Sequence, residues 1–496
     1  MSGMTGALND LTNPGANRIL YWNNTTGGFD WIAPSNGVGI SGTSISVKDF
    51  EAVGDGVTDD APRFSAAFAA LIAAGGGRLY VPTGVYRIKS RITVSCNAQQ
   101  HVSLVGDGRY LSTLDFSDAA SLGILFESTS ATDNQLPSFE VHGIGLITSR
   151  DDAGQALTFD YTNPDNIDAT VLVSDVFIGQ NVDRAADGGG GGFGYWSMGV
   201  RCNNCRAGDI RGLHFYGEID KASDTTHGIY LEGESTEFVI ADCNIFEAVN
   251  GIEAVGTCEG IFVDNCVITQ VKYGIRHTIA SGAEPQLMVN GCHVNASEVC
   301  VWTQNSQQSV IANSLFYANA YFASPGPWPE WRGVLLQGSN SKFITINNCT
   351  FTKESTRTGD TTSGIDLNVG SFYVVNGCQF FGFSGNELTF GVQVRAGVTD
   401  VHVGEDQLFE HVTSPVSNAG TRAIRQSIIQ RGFNTTVTSG DTITFPQAFN
   451  SQPMVAVTIL GASPVAISAD TFATTGFKVY FAGGGTQTIA WIAAGD

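Results

Sequence analysis

A short phrase recurs between Val239 and Phe380, and it constrains the fold more than any other feature of the chain. In the phrase, Asn, Asp or Gly precedes an inward Cys or Ser, and an apolar residue follows two positions later. A second phrase, Gly followed by Ile or Val, runs in phase with the first. The first phrase occurs at Asp242-Cys243, Asn265-Cys266, Gly291-Cys292, Asn313-Ser314, Asn348-Cys349 and Gly377-Cys378, and the second at Gly228-Ile229, Gly251-Ile252, Gly274-Ile275, Gly333-Val334, Gly364-Ile365 and Gly391-Val392. Successive Cys or Ser positions are 22 to 35 residues apart, which is typical of a β-solenoid whose coils bury their apolar faces by stacking.

The composition agrees with an all-β protein that has many turns. Charged residues are 15% of the 496 residues, and there are 60 glycines. The net charge of −22 disfavours nucleic acid and anionic membranes as partners, and makes a neutral or weakly charged glycan the easier ligand. We find no apolar run long enough to span a membrane and no secretion signal at Met1, so we predict no membrane insertion and synthesis in a cytosol.

The ten cysteines indicate a packed core and not a metal site. At least five of them occupy the repeated inward position, where stacked thiols pack as small hydrophobic groups. Cys202 and Cys205 have the spacing of half a zinc site, but no second pair follows at zinc spacing. We therefore predict no metal and no cofactor.

A helix is predicted at the start of the solenoid. Thr58 to Asp60 can supply N-cap oxygens, and Phe64, Phe68, Leu71 and Ile72 form one apolar stripe. A helix over 60–74 would cover the unpaired edge of the first coil. The predicted organisation is a leader with two short strands near Tyr21 and Trp31 (1–47), a cap (48–101), a β-helix (102–412), a linker (413–429) and a C-terminal β-sandwich (430–496).

Residues 47–88 resemble the N-terminal signature of the pectate-lyase-like, right-handed β-helix superfamily found in phage tailspikes. The matching residues are Asp49-Phe50, Ala52, Gly54-Asp55-Gly56, Asp59-Asp60 and Val81-Pro82-Thr83-Gly84-Val85-Tyr86, with Glu51 in place of the usual Gly. Phe445 to Phe449 and the end of the chain are similar to the C-terminal β-domain of phage tail fibres. The resemblance implies a homotrimeric tailspike that joins a phage tail or baseplate protein through its N-terminus.

The Gly-Ile strands predict which side chains face outward. Because strand residues alternate, Ile229 and Leu231 should point inward, and Tyr230 and Glu232 outward. The same alternation places Glu253 outward and His277 inward. The predicted outward column therefore mixes acids, amides, arginines and aromatics, a composition typical of carbohydrate-binding surfaces: Tyr230, Glu232, Glu253, Arg276, Trp302, Gln304, Gln337, Asp366, Asn368 and Arg395.

Glu232 and Glu253 are the best predicted catalytic pair. One coil of rise and two residues of strand place their Cα atoms about 8 Å apart, which suits two carboxylates on either side of a glycosidic bond. Glu218 and Asp220, in the preceding loop, are predicted alternatives to either partner. All of these acids can equally be solvated surface residues, and Arg276 can simply pair with Glu253.

Further substrate contacts are predicted from aromatic and charged side chains. Trp328 and Trp331, with Glu330 beside them, should wall a groove or touch a neighbouring chain. Tyr230, Arg276, Trp302 and Asp366 complete the predicted substrate-binding set.

The sequence thus predicts a phage tailspike of the virion tail that binds and depolymerises a bacterial surface polysaccharide. Hydrolysis by paired carboxylates is the first hypothesis. The alternatives are a polysaccharide lyase that acts by β-elimination on a uronic-acid glycan, and a non-catalytic receptor-binding fibre.

Overall fold

The structure is a computed structural model of the chain. It describes residues 19–23, 28–32 and 44–495, except for gaps at 98, 119–122, 129–136, 163–169, 182–193, 218–225, 281–284, 321–329, 358, 405, 421–427, 447, 450–451, 461–465 and 483–484. The chain divides into two units, Met1–Ala280 and Ser281–Asp496.

The first unit contains coils of a parallel β-helix, in which each coil gives one strand to each of three sheets. We call the sheet of the Gly-Ile strands sheet A, and the two that follow it along each coil sheets B and C. Sheet A contains Ile92–Ser95, Ile124–Ser128, Gln155–Tyr161, Met198–Asn203, His227–Glu232, Asn250–Gly256 and the second half of Val267–Ile279. Sheet B contains Ser44–Ser46, Gly77–Val81, His101–Gly106, Ser138–His142, Val171–Ser174, Gly208–Arg211, Thr236–Ala241 and Glu259–Asp264. Sheet C contains Asp55–Asp59, Gly84–Arg87, Ser112–Asp115, Gly145–Thr148, Phe177–Gln180, His214–Tyr216, Asn244–Phe246 and the first half of Val267–Ile279.

The second unit contains coils of the same kind. Its sheet A strands are the second half of His293–Gln304, Trp331–Gln337, the first halves of Thr362–Asn376 and Leu388–Val403, and Val412–Asn418. Its sheet B strands are Leu287–Asn290, Val310–Ala312, Lys342–Asn347 and the second halves of Thr362–Asn376 and Leu388–Val403. Its sheet C strands are the first half of His293–Gln304, Leu315–Ala318, Thr350–Lys353, Gln379–Phe381 and Leu408–Glu410.

The first repeated phrase forms the corner between sheets B and C. Its Asn, Asp or Gly adopts a left-handed backbone conformation, with φ of 55° at Asp242, 53° at Asn265 and 64° at Gly291. These residue types tolerate that conformation best, which explains their recurrence at the corner. The Cys that follows points inward, and each of these thiols lies within hydrogen-bonding reach of the carbonyl oxygen two residues earlier, as Cys243 does to Ala241 at 3.2 Å. The predicted ladder of buried free thiols is therefore confirmed.

The glycine of the second phrase is required by the apolar side chain of the first phrase. The apolar residue two positions after the Cys packs against the glycine that begins the sheet A strand. A Cβ at Gly251 would lie 2.5 Å from Ile268, and a Cβ at Gly364 would lie 2.5 Å from the ring of Phe380. Glycine recurs at this position because the inward side chain of sheet C occupies the space of a Cβ.

The predicted capping helix spans Ala61–Ala73 and buries Phe64, Phe68 and Leu71. The expected N-cap differs in one respect. The Asp60 carboxylate does not cap the helix, and accepts hydrogen bonds from the amides of Val53 (2.7 Å) and Gly54 (2.9 Å). Asp60 thus fixes the Gly-rich turn that precedes the helix. A 3-10 helix, Val47–Phe50, comes before that turn.

Two smaller β-structures lie outside the coils. Ile19–Asn23 and Gly28–Ile32 form an antiparallel pair. Near the C-terminus, sheet D contains Ile428–Val437, Met454–Ile459 and Gln487–Gly495, and sheet E contains Thr442–Thr444, Ile467–Ala473 and Gly476–Phe481. The two sheets share a core that includes Phe445, Phe477 and Trp491, so this part is a β-sandwich. Val412–Asn418 is a strand in the segment predicted as a linker.

The fold class is as predicted: an all-β, right-handed parallel β-helix with an N-terminal capping helix and a C-terminal β-sandwich. The homotrimer stays a prediction.

Candidate active site

The outward face of sheet A in the first unit carries a patch of polar side chains in three adjacent columns. Strand register aligns Arg201, Tyr230, Glu253 and Arg276 in the central column. Asp160, Asn203 and Glu232 are aligned in a second column, and His227, Asn250 and Tyr273 in a third. We call these residues the sheet A patch.

Two carboxylates of this patch share one arginine. Arg201 contacts Glu232 through Nη2, and its Nη1 lies 3.4 Å from Asp160 Oδ2. Asn203, between the two acids in their column, donates from Nδ2 to Asp160 Oδ1 at 2.9 Å. The side chains of Asp160 and Glu232 are 36% and 26% exposed, so both are accessible to a ligand. The patch therefore presents two reachable carboxylates with a guanidinium between them.

Tyr230 lies beside this pair and is hydrogen-bonded to Glu232. Partial burial, followed by the negative charges of Glu232 and Glu253, raises the pKa of Tyr230 above its ordinary value. Its ring centroid is 4.8 Å from that of His227. Tyr230 is thus a neutral phenol at physiological pH and offers a half-buried aromatic surface.

Glu253 occupies a different environment from Glu232. Its side chain is only 8% exposed, and both of its oxygens are engaged: Oε2 lies 2.6 Å from His227 Nε2, and Oε1 lies 3.0 Å from Arg276 Nη1. Arg276 also donates to Asn250 Oδ1 at 2.9 Å. The carboxylate of Glu253 holds its neighbours in place and has little surface to offer a ligand.

The structure thus brings four of the predicted site residues into one patch: Glu232, Glu253, Tyr230 and Arg276. Glu218 and Asp220 lie outside the described residues. Sequence reasoning missed Asp160, Arg201 and Asn203, although continuing the outward column to earlier coils finds them. It also missed His227, because alternation from Tyr230 places this first residue of its strand on the opposite face.

In the second unit, the predicted substrate contacts have mixed outcomes. Trp302 is half-buried on sheet A, and its Nε1 donates to Gln337 Oε1 at 3.1 Å. Trp328 lies outside the described residues. Trp331 was expected to wall a groove or touch a neighbouring chain, and this is wrong, because its side chain is fully buried in the core.

The prediction for Asp366 is also wrong. It was predicted to bind substrate, but its side chain has no exposed surface. Its carboxylate accepts hydrogen bonds from Arg395 at 2.7 and 2.8 Å and from Arg332 at 2.9 Å, and Glu330 contacts both arginines. Two acids and two arginines thus neutralise one another, which indicates a structural network.

Several further residues are enclosed by the coils. His277 points inward as predicted, and its burial lowers its pKa to about 4. Burial raises the pKa of the thiols of Cys258 and Cys300 to about 12, so these thiols are unreactive at neutral pH.

Within the described ranges, no group of three or more His, Cys, Asp or Glu could hold a metal ion, and no helix is long and apolar enough to cross a membrane.

Residues 44–350 match the model of a protein family described as rhamnogalacturonase A/epimerase, pectate lyase-like. The chain belongs to this family. The matched range contains every residue of the sheet A patch, and it begins before the cap signature at Asp49. The predicted superfamily membership is therefore confirmed.

Curated relatives are similar over short segments. The mannuronan C5-epimerase AlgE1 of Azotobacter vinelandii is 33% identical over 109 residues, which is 21% of this chain and 8% of the epimerase. Alginate lyase 7 of the same organism is 44% identical over 66 residues, 13% of this chain and 8% of the lyase. This chain therefore matches less than a tenth of the length of either relative.

Solved structures are similar over nearly the whole chain. A double mutant of the tailspike protein of E. coli bacteriophage HK620 has a TM-score of 0.52 and 12% identity, with 97% of each chain covered. The tailspike gp61 of Pseudomonas phage phi297 has a TM-score of 0.50 and 15% identity, with 92% of this chain and all of that chain covered. At this identity, the likeness shows that the chain has the fold of these tailspikes.

Proposed function

We propose that the protein is a phage tailspike that binds a bacterial surface polysaccharide and hydrolyses its glycosidic bonds at the sheet A patch. The supporting observation is the placement of Asp160 and Glu232, two accessible carboxylates in one outward column with Arg201 in contact with both. They lie two coils apart, so the coil rise separates their Cα atoms by about 9.6 Å. Their facing carboxylate oxygens lie closer together than this, because both contact the Arg201 guanidinium. Glycosidases hold their two carboxyl groups about 5–5.5 Å apart when they retain configuration and about 6.5–9.5 Å apart when they invert it.

This proposal replaces Glu253 with Asp160 as the partner of Glu232. A hydrolytic carboxylate must reach either the glycosidic oxygen or the attacking water. Both oxygens of Glu253 already contact His227 and Arg276, and its side chain is 8% exposed. Glu253 is therefore a positioning residue. Its carboxylate holds His227 against the ring of Tyr230 and also holds Arg276. Glu218 and Asp220 stay predicted alternatives.

In the proposed mechanism, one carboxyl donates a proton to the leaving oxygen while the other removes a proton from water. Tyr230 is hydrogen-bonded to Glu232 and is partly exposed beside the pair, where a sugar can pack against its ring. Arg201 holds the two carboxylates at a fixed separation. A polymer aligned with the columns would cross several coils and so gain contacts on both sides of the cleaved bond.

The test compares Glu232→Gln and Asp160→Asn with the wild-type protein. The assay measures new reducing ends in extracellular polysaccharide prepared from a bacterial strain whose lawn the protein clears. Loss of a general acid or base should lower turnover by about 10²–10⁴-fold, with polysaccharide binding retained. Glu127→Gln is the matched control, since Glu127 is aligned with Asp160 one coil earlier in the same column. Full activity in both site variants would show that cleavage occurs elsewhere.

Elimination is the second candidate, because Tyr230 lies in one column with Arg201 and Arg276. In such a site, a guanidinium would bind the uronate carboxylate and ionised Tyr230 would remove the C5 proton. The C4–O4 bond would then break as the C4=C5 double bond forms, and the proton would pass from Tyr230 to the leaving oxygen. Relatives named as a mannuronan C5-epimerase and an alginate lyase give this candidate some weight. Two observations favour hydrolysis: the pKa of Tyr230 is raised, which disfavours the basic phenolate, and Arg276 is already paired with the buried carboxylate of Glu253.

The products separate the candidates. Hydrolysis gives new reducing ends without ultraviolet absorbance, whereas elimination adds the absorbance of an unsaturated uronate. Polysaccharide binding with neither signal would support a receptor-binding fibre without catalysis. In each case, we propose that the protein acts from the virion tail and that residues 1–47 attach it there.

A further inference from the structure

A row of aromatic side chains lies on the outer face of sheet C in the first unit, and we call it the sheet C row: Tyr110, Phe177, Tyr216 and Phe246. The ring centroids of successive members are 5.2, 6.0 and 5.0 Å apart. Phe177 is tilted by 49° to Tyr110 and by 48° to Tyr216, so these rings do not cover one another as stacked rings would. Tyr110 is 62% exposed and Tyr216 is 40% exposed. The row therefore offers aromatic surface to solvent along several coils.

Tyr110 reaches the row from an enlarged corner between sheets B and C. This corner has five residues, 107–111, whereas the same corner in the next coil has two. Arg109 anchors the corner, since its Nη1 donates to the carbonyl oxygen of Gly212 at 3.0 Å and its guanidinium lies over the ring of Tyr110. Coil stacking alone does not require the extra residues, because the next coil closes without them. The enlarged corner instead holds an exposed tyrosine against Phe177.

Neutral polar groups accompany the row. His214 Nε2 lies 2.9 Å from Nδ2 of Asn244, and His214 Nδ1 lies 3.5 Å from the hydroxyl of Tyr110. Burial, followed by the positive charge of Arg109, lowers the pKa of His214, so its imidazole is neutral at pH 7. Because the amide nitrogen of Asn244 can only donate, Nε2 accepts and the proton on Nδ1 faces the oxygen of Tyr110. The hydroxyl hydrogen of Tyr110 is then available to a ligand.

The strands that carry the row have no charged side chains, and this distinguishes sheet C from the other two sheets. Four consecutive described strands contain no Asp, Glu, Lys or Arg: Gly145–Thr148, Phe177–Gln180, His214–Tyr216 and Asn244–Phe246. In the same coils, sheet A presents Asp160, Arg201 and Glu232 outward, and sheet B presents Glu140 and Asp209. The neutral aromatic surface is therefore a property of sheet C and not of the whole coil.

An uncharged polysaccharide fits this surface better than a protein or an anionic polymer. Sugar rings have apolar faces that pack on aromatic rings, and sugar hydroxyls both donate and accept hydrogen bonds, so they can pair with the two tyrosine hydroxyls and with Asn244. The apolar surface of a protein partner would leave these polar groups unpaired, which is unfavourable. An anionic polymer would gain little, because the guanidinium of Arg109 already lies 3.4 Å from the carboxylate of Asp175.

We propose that the sheet C row is a second binding site for polysaccharide, which holds an uncharged stretch of the polymer. The proposal rests on the proposed function only for the class of ligand, and it assigns no catalytic residue. A second site on the same protein raises the affinity for a long polymer, because binding at one site raises the effective concentration of the polymer at the other.

The first test measures binding of full-length Glu232→Gln to extracellular polysaccharide from a bacterial strain whose lawn the wild-type protein clears. Adding Tyr110→Ser and Tyr216→Ser should lower the affinity at least about 10-fold, because one of two linked sites is lost. Phe262→Ser is the matched control, since Phe262 is an aromatic side chain that is 45% exposed on sheet B, and it should leave the affinity unchanged. Thermal unfolding checks that each variant is folded.

The second test keeps all four rings of the row. The ten native cysteines are buried and should react slowly with a maleimide, so Thr269→Cys, aligned with Phe246 in the next coil, supplies a reactive thiol beside the row. The same polysaccharide, at about ten times its dissociation constant, should slow the labelling of this thiol by about 10-fold. The effect should be equal at low and high salt, because no ion pair forms. Phe262→Cys, on sheet B, should react at the same rate with and without the polysaccharide.

Unchanged affinity of the double tyrosine variant, or labelling of Thr269→Cys that the polysaccharide does not slow, would overturn the proposal. Protection that is present without polysaccharide and increases with protein concentration would overturn it in favour of a contact between copies of the chain. Protection that is lost at high salt would contradict an uncharged ligand. Reducing ends report separately on the proposed function, so protection of Thr269→Cys without cleavage by the wild-type protein would refute hydrolysis alone.

Discussion

Replacement of Glu253 by Ala tests whether this residue supports the sheet A patch or acts chemically in it. The carboxylate is 8% exposed and contacts both His227 Nε2 (2.6 Å) and Arg276 Nη1 (3.0 Å). Its removal takes away the carboxylate that Arg276, which is 22% exposed, contacts at 3.0 Å. Breaking a buried ion pair in this way costs roughly 3–5 kcal/mol. Asn250 Oδ1 still accepts a hydrogen bond from Arg276, so the lower end applies, about 3 kcal/mol.

The assay is the rate of unfolding in denaturant, because a long β-helix need not unfold as a reversible two-state system. A loss of about 3 kcal/mol that falls entirely on unfolding raises this rate by roughly 150-fold. Glu253→Gln should have a smaller effect, since an amide oxygen can still accept from Arg276. The matched control is Glu234→Ala, whose partly exposed pair with Arg206 at 3.4 Å should contribute about 1 kcal/mol, less than the more deeply buried pair of Glu253. If Glu253→Ala unfolds no faster than this control, Glu253 does not hold the patch together.

Three further outcomes are expected from substitutions at buried positions. Asp366→Ala should destabilise the protein by roughly 3–5 kcal/mol in chemical unfolding, because two arginines lose a fully buried partner. Wild-type stability of this variant would instead favour a ligand-binding role for Asp366. Gly364→Ala should lower the free energy of unfolding by about 1–3 kcal/mol, since its Cβ would lie 2.5 Å from the ring of Phe380. Gly397→Ala is the control and should destabilise the protein less in the same assay, because its Cβ would have no neighbour closer than 3.3 Å. The pKa of His277 is about 4 when folded and 6.5 ordinarily, so the unfolded chain binds the proton first. The contribution of His277 to the free energy of unfolding should therefore be complete above pH 6.5 and be lost as the pH falls from 6.5 to 4. In thermal unfolding, His277→Gln should lack this part of the decline at acidic pH.

The inner positions of the β-helix could be predicted because each coil repeats the same physical requirement. A left-handed corner selects Asn, Asp or Gly, and the next side chain must fit the interior of the coil, where Cys or Ser is small enough. An apolar side chain then fills the place of the Cβ that is missing from the next glycine. These requirements recur in every coil, so a single sequence shows them many times.

The outer positions could be predicted only in part. Alternation correctly placed Tyr230, Glu232 and Glu253 on one face, because alternation depends on the strand alone. Alternation could not show that Glu253 is buried by its partners. That burial depends on His227, the first residue of its strand, whose side chain turns toward Glu253 against the alternation. Trp331 and Asp366 were misjudged for a related reason: the sequence shows the type of a side chain, whereas burial depends on the neighbouring coils.

The same stacking that builds the core also restricts the chemistry available to the outer face. Cα atoms in one column are separated by multiples of the coil rise, about 4.8 Å for neighbouring coils and about 9.6 Å for alternate coils. Side-chain length and contacts then set the separation of the carboxyl groups themselves, which is about 5–5.5 Å in retaining and about 6.5–9.5 Å in inverting glycosidases. In the column of Asp160 and Glu232, the intervening position is Asn203, whose amide donates to Asp160 and adds no third negative charge. The column thus presents both Cα spacings, the shorter between Glu127 and Asp160 and the longer between Asp160 and Glu232. Only the longer pair shares Arg201, which is why we propose it as the site of cleavage.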